Sequence, residues 1–132
     1  MQRLYFALDL RDDPALIAEY EKWHRPNNIW PEIVESLRTA GIHELEIVRC
    51  GNRLTMVIEA PADFSVADQA ALENANPRLR AWEDLMWRFQ LPLPFANAGE
   101  KWVLMKRIFS LKETLAAREG RPPESSASTP GA

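Results

Sequence analysis

Hydrophobic and polar residues alternate in four segments of the chain, with the two-residue period of a β-strand. These segments are residues 4–10, 44–50, 53–59 and 101–109. Only Gly51 and Asn52 separate the second segment from the third. A Gly-X pair suits a type II′ turn, because glycine adopts the positive φ of its first position without strain. The pattern therefore predicts that the second and third strands form an antiparallel hairpin.

Four helical segments are predicted between these strands. Two lie between the first strand and the hairpin: one is capped by the Asp12-Asp13-Pro14 segment and continues to His24, and one begins at Pro31 and ends before Gly41. Two follow the hairpin: Asp63 is predicted to cap a helix that ends at the NANP segment, residues 74–77, and a second helical run covers residues 78–90. Pro92 and Pro94 then precede the fourth strand.

The resulting order β, α, α, β, β, α, α, β has the form βαββαβ with each helical layer broken in two. This order predicts an α+β, ferredoxin-like fold, in which helices cover one face of an antiparallel sheet. Several strand residues of the opposite parity are also apolar: Tyr5, Ala7, Val48, Cys50, Val57, Val103 and Met105. They indicate either a homodimer in which two sheets face each other, as in a dimeric α/β barrel, or a pocket between the sheet and its loops.

The length of 132 residues, with 46% hydrophobic and 27% charged residues, is typical of one globular domain. We expect this domain to cover residues 1–111. Residues 112–132 are polar, and from Gly120 they are rich in Pro, Ser, Ala and Gly. Such a composition buries too little apolar area to order itself, so it predicts a disordered C-terminal tail.

Charge and composition argue against several classes of partner. The net charge of −3 provides no basic excess for nucleic acid. No apolar run approaches the ~20 residues of a membrane-spanning helix, and the N-terminal residues lack the pattern of a signal peptide. The single cysteine, Cys50, cannot form an internal disulfide, and no Cys/His cluster predicts a metal site. We expect a cytoplasmic protein.

Few residues are candidates for catalysis, because GxSxG, Walker, GxGxxG and HExxH motifs are absent. Tyr20 and His24 are four residues apart, which places a phenol and an imidazole on one helix face. The segment YEKWHRPNNIWPE, residues 20–32, combines these groups with Asn and Trp side chains. Polar donors beside flat rings are typical of a sugar site. A histidine that caps a helix C-terminus, with tryptophans in the core, explains the same spacing equally well.

The remaining candidates favour structural roles. Cys50 is interpreted as a small strand residue, since no nearby group lowers its thiol pKa. His43 is interpreted as a surface polar residue. Trp82 and Trp87 are five residues apart and cannot lie on one helical stripe, so one is expected to face the core and the other a cleft or a dimer contact.

The sequence resembles the L-rhamnose mutarotase family over about residues 4–111. The most specific element is Y-x-x-x-H, at Tyr20 and His24, followed by W-P-E at residues 30–32; Gly41, the strand LTMVIE and Trp82 follow in order. The resemblance implies a ferredoxin-like fold, a dimer, no metal or cofactor, and interconversion of the α and β anomers of a 6-deoxy-L-hexopyranose such as L-rhamnose or L-fucose.

The resemblance also implies roles for individual residues. His24 matches the catalytic histidine, Tyr20 a substrate-binding tyrosine and Trp82 a tryptophan that contacts the sugar. Our own hypothesis for the mechanism adds Trp30 as a second ring on which the sugar can stack. Only one tryptophan of the family's usual pair is present, since Glu83 follows Trp82, and Leu45 stands where a second tyrosine is expected. These departures and the GEKW segment fit a branch associated with L-fucose breakdown.

Two other functions are compatible with the predicted fold, because fold alone does not determine function. One is a ligand- or haem-binding dimeric α/β-barrel module or a small cofactor-free monooxygenase, in which His24 is an axial ligand or a structural residue. The other is a dimerisation module without activity. The main hypothesis remains a mutarotase that acts on a monosaccharide. In this hypothesis His24 is the acid that protonates the ring oxygen and the base when the ring closes.

Overall fold

The computed structural model describes residues 1–120, which form one antiparallel sheet with helices packed against one of its faces. The elements are β1 (Gln2–Leu10), α1 (Pro14–Trp23), α2 (Pro31–Thr39), β2 (Glu44–Cys50), β3 (Arg53–Ala60), α3 (Val66–Ala75), α4 (Pro77–Met86), β4 (Gln90–Leu91), β5 (Val103–Leu104) and α5 (Leu111–Arg118). The strand order is β2-β3-β1-β4, and β5 also pairs with β1. This is the predicted ferredoxin-like arrangement.

The register of the sheet follows from the hairpin. β2 and β3 pair from Glu44 opposite Glu59 to Cys50 opposite Arg53, and Gly51 has the predicted positive φ, 61°. β1 then pairs with β3 along eight residues. The predicted antiparallel hairpin is confirmed, and β1 lies at the centre of the sheet.

The hydrophobic core lies between the sheet and the helices. The alternate residues Leu4, Phe6, Leu8 and Leu10 of β1 are each at most 4% exposed. Full burial of such a side chain stabilises the fold by about 1.5–3 kcal/mol. The two-residue period of β1 therefore determines which face of the sheet receives the helices.

Side-chain caps and prolines determine where the helices begin. Asp13 accepts hydrogen bonds from the N–H groups of Ala15 and Leu16 at the start of α1, as predicted. The prediction that Asp63 caps α3 was wrong. The cap is Ser65, whose hydroxyl accepts from the N–H of Asp68 at 3.1 Å, because the helix begins only at Val66.

The prediction of a fourth strand over residues 101–109 was wrong in its length. Only Val103 and Leu104 form β5, and Gln90, the last residue of the predicted fourth helical run, forms β4 together with Leu91 instead. The two short strands share the edge of β1, since β4 pairs near Leu10 and β5 near Phe6. Just beyond β5, the N–H of Met105 still donates to the backbone oxygen of Tyr5 at 2.7 Å, and Arg107 then forms an ion pair with Glu113 of α5 at 2.7 Å.

The boundary predicted at residue 111 also requires correction, because an ordered helix follows it. Ser110 accepts a hydrogen bond from the N–H of Glu113, and Ser-x-x-Glu is the capping-box sequence of a helix start. Ala116 of α5 is buried. The rest of the predicted tail, residues 121–132, lies outside the described residues. Among residues 1–120, no helix combines the length and the apolar character needed to cross a bilayer.

The sheet face opposite the helices carries several apolar side chains, with ion pairs at its ends and Glu46 opposite Val57 in its middle. Ion pairs join Arg3 to Glu59 at 2.6 Å and Arg53 to Asp9 at 2.7 Å. Apolar side chains of this face include Tyr5, Ala7, Val48, Val57, Leu91, Val103 and Met105, of which Val48 is 56% exposed. We call this surface the open face.

Candidate active site

A cavity of about 590 Å³ lies between the helix-covered face of the sheet and helices α1–α4. This volume lies within the usual range for small-molecule sites. Its walls are mostly apolar, with Phe6, Leu45, Ile47, Met56 and Ile58 from the sheet and Ile33, Val34 and Leu37 from α2. The polar side chains of the lining are Tyr20, His24, Gln69, Glu73, Glu83, Gln90 and Lys101. A largely apolar chamber with a few polar groups is suited to a ligand that has both apolar faces and hydroxyl groups.

His24 is the C-cap of α1 and lines this cavity. Its Nδ1 lies 2.7 Å from the backbone oxygen of Tyr20. A carbonyl oxygen only accepts hydrogen bonds, so Nδ1 carries the ring proton. The neutral imidazole therefore keeps its lone pair on Nε2. This bond also satisfies one of the carbonyls that α1 leaves without a partner at its end.

Burial keeps the His24 imidazole neutral. It lowers the pKa of His24 below the ordinary value of 6.5, and the hydrogen bond to the Tyr20 carbonyl opposes this effect without cancelling it. At neutral pH the ring is therefore uncharged, and Nε2 can accept a proton.

Tyr20 lies one helical turn before His24, and the two rings are in contact with their centroids 4.3 Å apart and their planes tilted by 37°. The phenol is 3% exposed. Burial raises the pKa of Tyr20 to about 12, against the opposing effect of a hydrogen bond with the Gln90 side chain. The hydroxyl is protonated throughout the neutral range, so it can donate a hydrogen bond.

Trp82 of α4 completes an aromatic cluster around His24. Its ring centroid lies 5.6 Å from that of His24, and Trp23 and Trp30 pack against it edge to face. Trp82 is 5% exposed and lines the cavity. Trp87 lies elsewhere, with the Lys101 ammonium 4.7 Å from its ring centroid. Of the two tryptophans that the spacing could not distinguish, Trp82 is the one at the cavity.

The structure places Trp30 behind this cluster. Trp30 is the N-cap of α2, and its ring lies 5.2 Å from that of Trp82. The Arg78 guanidinium covers the ring at 3.6 Å from its centroid. Within the described residues, Trp30 is not part of the cavity lining, so the structure does not bring it together with Tyr20, His24 and Trp82 at the cavity wall.

The amides between the two helices also lie away from the cavity. The Asn28 side chain donates to the backbone oxygen of Lys22 at 2.8 Å, so it closes the end of α1. Neither Asn27 nor Asn28 belongs to the lining in the described part of the chain. The polar residues of this segment that reach the cavity are Tyr20 and His24.

An ion pair at the cavity wall was missed by sequence reasoning. The Lys101 ammonium donates to the Glu83 carboxylate at 2.7 Å and to the Glu83 backbone oxygen at 3.1 Å. Burial lowers the pKa of Lys101, although Glu83 opposes the shift. Nearby, burial raises the pKa of Glu73, whose carboxylate accepts from Gln69. The only sequence signals were the position of Glu83 after Trp82 and the GEKW segment.

No metal site is visible in the described part of the chain. Among residues 1–120, no three His, Cys, Asp or Glu side chains lie close enough together to hold a metal ion. Cys50 is exposed on β2, and His43 is exposed just before that strand.

Comparison with known proteins agrees with this geometry. A family model described as L-rhamnose mutarotase matches residues 3–111. An L-fucose mutarotase of Xanthomonas campestris is 53% identical over 120 residues, which cover 91% of this chain and 96% of that protein. A crystal structure of an L-rhamnose mutarotase from Formosa agariphila superposes with a TM-score of 0.62 at 19% identity, over 84% of this chain and 99% of that one.

A second structural neighbour shares the fold alone. Tetracenomycin F2 cyclase from Streptomyces glaucescens superposes with a TM-score of 0.58 at 15% identity, covering 83% of this chain and 96% of that one. Fold and cavity together define a ferredoxin-like α+β protein with an internal chamber for a small ligand. Because the family model spans nearly the whole described domain, this chain belongs to the L-rhamnose mutarotase family.

Proposed function

We propose that this protein is a sugar mutarotase that interconverts the α and β anomers of a 6-deoxy-L-hexopyranose, and that L-fucose is its preferred substrate. The observation that carries the proposal is the His24 imidazole, fixed in one tautomer at the wall of a cavity of about 590 Å³. The 53% identity to an L-fucose mutarotase over nearly the full length of both chains supports the choice of L-fucose.

The reaction requires one proton to leave the anomeric hydroxyl and one to reach the ring oxygen. The bond between C1 and the ring oxygen then breaks, the open aldehyde rotates about C1–C2, and the ring closes on the other face. Both oxygens are bonded to C1 in the pyranose, so a single nitrogen within reach of both can exchange protons with each. His24 Nε2 accepts the hydroxyl proton and returns it to the ring oxygen, and on closure it acts as the base.

Tyr20 and Trp82 position the sugar in this mechanism. The protonated phenol of Tyr20 donates a hydrogen bond to a sugar oxygen, and the Trp82 ring packs against an apolar face of the pyranose. Trp30 holds the Trp82 ring in place from behind. General acid-base catalysis contributes about 10²- to 10⁴-fold, which is sufficient for a reaction that already proceeds slowly in water.

The comparisons favour this activity over the haem-binding module, the cofactor-free monooxygenase and the inactive dimerisation module. The matched family and the 53% identical relative are both described as sugar mutarotases. A free Nε2 would also suit an axial ligand, so absorption spectra of the purified protein provide a direct check. A Soret band in the protein as isolated would favour haem binding and contradict the mutarotase proposal.

We further propose that the protein is a cytoplasmic homodimer. The open face carries exposed apolar side chains, including Val48 of the edge strand β2 at 56% and Met105 just after β5 at 40%, and a second copy of the same face would cover them in a two-fold arrangement. The exposed Cys50 thiol is compatible with a reducing compartment.

Polarimetry tests the proposed activity and its substrate together. Freshly dissolved L-fucose, L-rhamnose, D-galactose and D-glucose each approach anomeric equilibrium at a measurable rate without enzyme. We expect the protein to accelerate this approach most for L-fucose, less for L-rhamnose and least for D-glucose. Equal rates with and without protein for every sugar would contradict the proposal.

A further inference from the structure

The buried carboxamide of Gln90 has an oxygen that the fold leaves unsatisfied. Gln90 pairs with Leu10 in β4, next to the central strand, and is 2% exposed. Its Oε1 has no hydrogen-bond partner within residues 1–120, yet the side chain lines the cavity. Buried polar atoms are almost always paired, because an unpaired one costs free energy. An unpaired oxygen on a residue of the cavity lining is a candidate acceptor for a hydroxyl group of a ligand.

Other polar groups lie around the same part of the cavity. The Gln90 side chain forms a hydrogen bond with the Tyr20 phenol, and the negative charge of Glu83 contributes to the raised pKa of that phenol. Glu83 is in turn paired with Lys101, whose side chain is only 9% exposed. We call Gln90, Glu83 and Lys101 the polar wall.

The ion pair of the polar wall retains unused hydrogen-bonding capacity. In the described part of the chain, Lys101 directs two hydrogen bonds to Glu83, whereas an ammonium has three N–H donors. The Glu83 carboxylate binds Lys101 through Oε2, and a carboxylate accepts several hydrogen bonds. The pair can therefore hold a hydroxyl group without being broken.

We propose that the polar wall binds ring hydroxyls of the sugar and determines which hexose the enzyme accepts, with Gln90 Oε1 accepting from one hydroxyl and the Glu83–Lys101 pair binding another. This inference rests on the proposed mutarotase function. L-Fucose and L-rhamnose differ only in the orientation of the hydroxyls at C2 and C4. A site built to hydrogen-bond a hydroxyl strongly rejects an analogue that lacks it, whereas an apolar wall discriminates weakly.

The substitution Gln90→Met tests the first contact, because it keeps the length of the side chain and removes its oxygen. We expect KM for L-fucose to rise about 3- to 10-fold, the usual effect of losing one uncharged hydrogen bond. The melting temperature should not fall by more than about 4 °C, since removal of the unpaired oxygen offsets the loss of the hydrogen bond between the amide and Tyr20. A role confined to the fold would give the opposite result, with a lower melting temperature and an unchanged KM.

Gln2→Met is the matched control. The Gln2 amide donates to the backbone oxygens of Pro61 and Phe64 at 3.0 and 2.9 Å, so this glutamine is satisfied by the fold. We expect Gln2→Met to lower the melting temperature while KM stays within twofold. Comparison of the two variants would then separate an effect on substrate binding from an effect on the stability of the fold.

Glu83→Gln tests the ion pair and keeps the shape of the side chain. Loss of a charged hydrogen bond is expected to lower kcat/KM for L-fucose by about 10- to 100-fold. The control is Glu35→Gln, which removes an exposed carboxylate paired with Arg38 at 3.7 Å on the outer side of α2 and should leave kcat/KM unchanged.

Monodeoxy derivatives of L-fucose identify the hydroxyl that each contact binds. In the wild-type enzyme, the derivative that lacks the hydroxyl bound by Gln90 should have a raised KM, and Gln90→Met should not raise it further. An equal penalty from Gln90→Met for every derivative, or none for any, would overturn the inference although the wild type is active. Absence of exchange with every sugar would instead overturn the proposed function itself.

Discussion

The contact between His24 and Tyr20 explains why one imidazole is enough for the proposed reaction. The 2.7 Å bond from Nδ1 to the Tyr20 carbonyl fixes the tautomer, and burial lowers the pKa of the ring. The sequence already indicated this pair through its four-residue spacing. The spacing alone does not distinguish a catalytic histidine from a histidine that caps a helix. In the structure, His24 is the C-cap of α1 and also lines the cavity.

The pH dependence of exchange follows from the lowered pKa of His24. Because the neutral ring is the active form, kcat/KM should be constant above pH 7 and should fall as the pH is lowered through a value below 6.5. The same shift links protonation to stability: the unfolded chain binds the proton more tightly, so the free energy of unfolding should also decrease as the pH falls below about 6.5. Saturation-transfer NMR between pH 5 and 9 measures the first effect.

His43→Ala provides the control for this profile, since His43 is exposed and lies outside the cavity lining. Its profile should coincide with that of the wild type. A wild-type rate that increases on acidification from pH 7 to pH 5 would show that the imidazolium, and not the neutral ring, is the active form.

The substitution Tyr20→Phe tests the role of the phenol hydroxyl in binding the sugar. The ring contact with His24 is retained, while the hydroxyl is lost together with its hydrogen bond to the Gln90 side chain. Loss of one uncharged hydrogen bond to the sugar should raise KM about 3- to 10-fold, measured by polarimetry with L-fucose. An unchanged KM would assign Tyr20 to the core alone.

At the scale of elements, sequence periodicity predicted β1, the β2–β3 hairpin and the starts of α1 and α2. Each depends on local signals such as alternation, Gly51 or a proline. The last part of the sheet was not predictable in this way. Residues 101–109 alternate like a strand, but pairing also requires a free strand edge, and β4 and β5 divide that edge of β1.

The helix α5 provides a test of local capping. Ser110→Ala removes the acceptor for the Glu113 N–H, so α5 should lose about 1 kcal/mol of stability. Hydrogen exchange should therefore accelerate in α5, while the amides of β1 keep their protection. Equal acceleration in both elements would show that α5 is part of the global folding unit and does not open separately.

At the scale of the whole molecule, a monomer would leave the apolar side chains of the open face exposed to solvent. We expect sedimentation at twice the chain mass of 15.1 kDa for the wild type. Val57→Lys places a charge at the middle of this face and should yield monomers, while Leu72→Lys, on an exposed position of α3, should not. A monomeric wild type at tens of micromolar would contradict the dimer.

The cavity was the part of the molecule that sequence could predict least. Spacing found Tyr20 and His24, and resemblance to a family added Trp82. Gln90 had no signal, because its position was predicted to be helical and a single glutamine among apolar residues is not distinctive. Glu83 and Lys101 are 18 residues apart in the chain, and only the packing of α4 beside the loop before β5 brings them together.

The most direct test of the proposed role of His24 is magnetisation transfer between the α and β anomeric protons of L-fucose, with wild-type protein and with His24→Ala. We expect rapid exchange with the wild type and at least a tenfold lower rate with the variant, whose free energy of unfolding should fall by about 0.5–3 kcal/mol because it loses the bond to the Tyr20 carbonyl. Exchange that is equally rapid with a folded His24→Ala protein would contradict the central claim that this imidazole carries the proton between the two oxygens of C1.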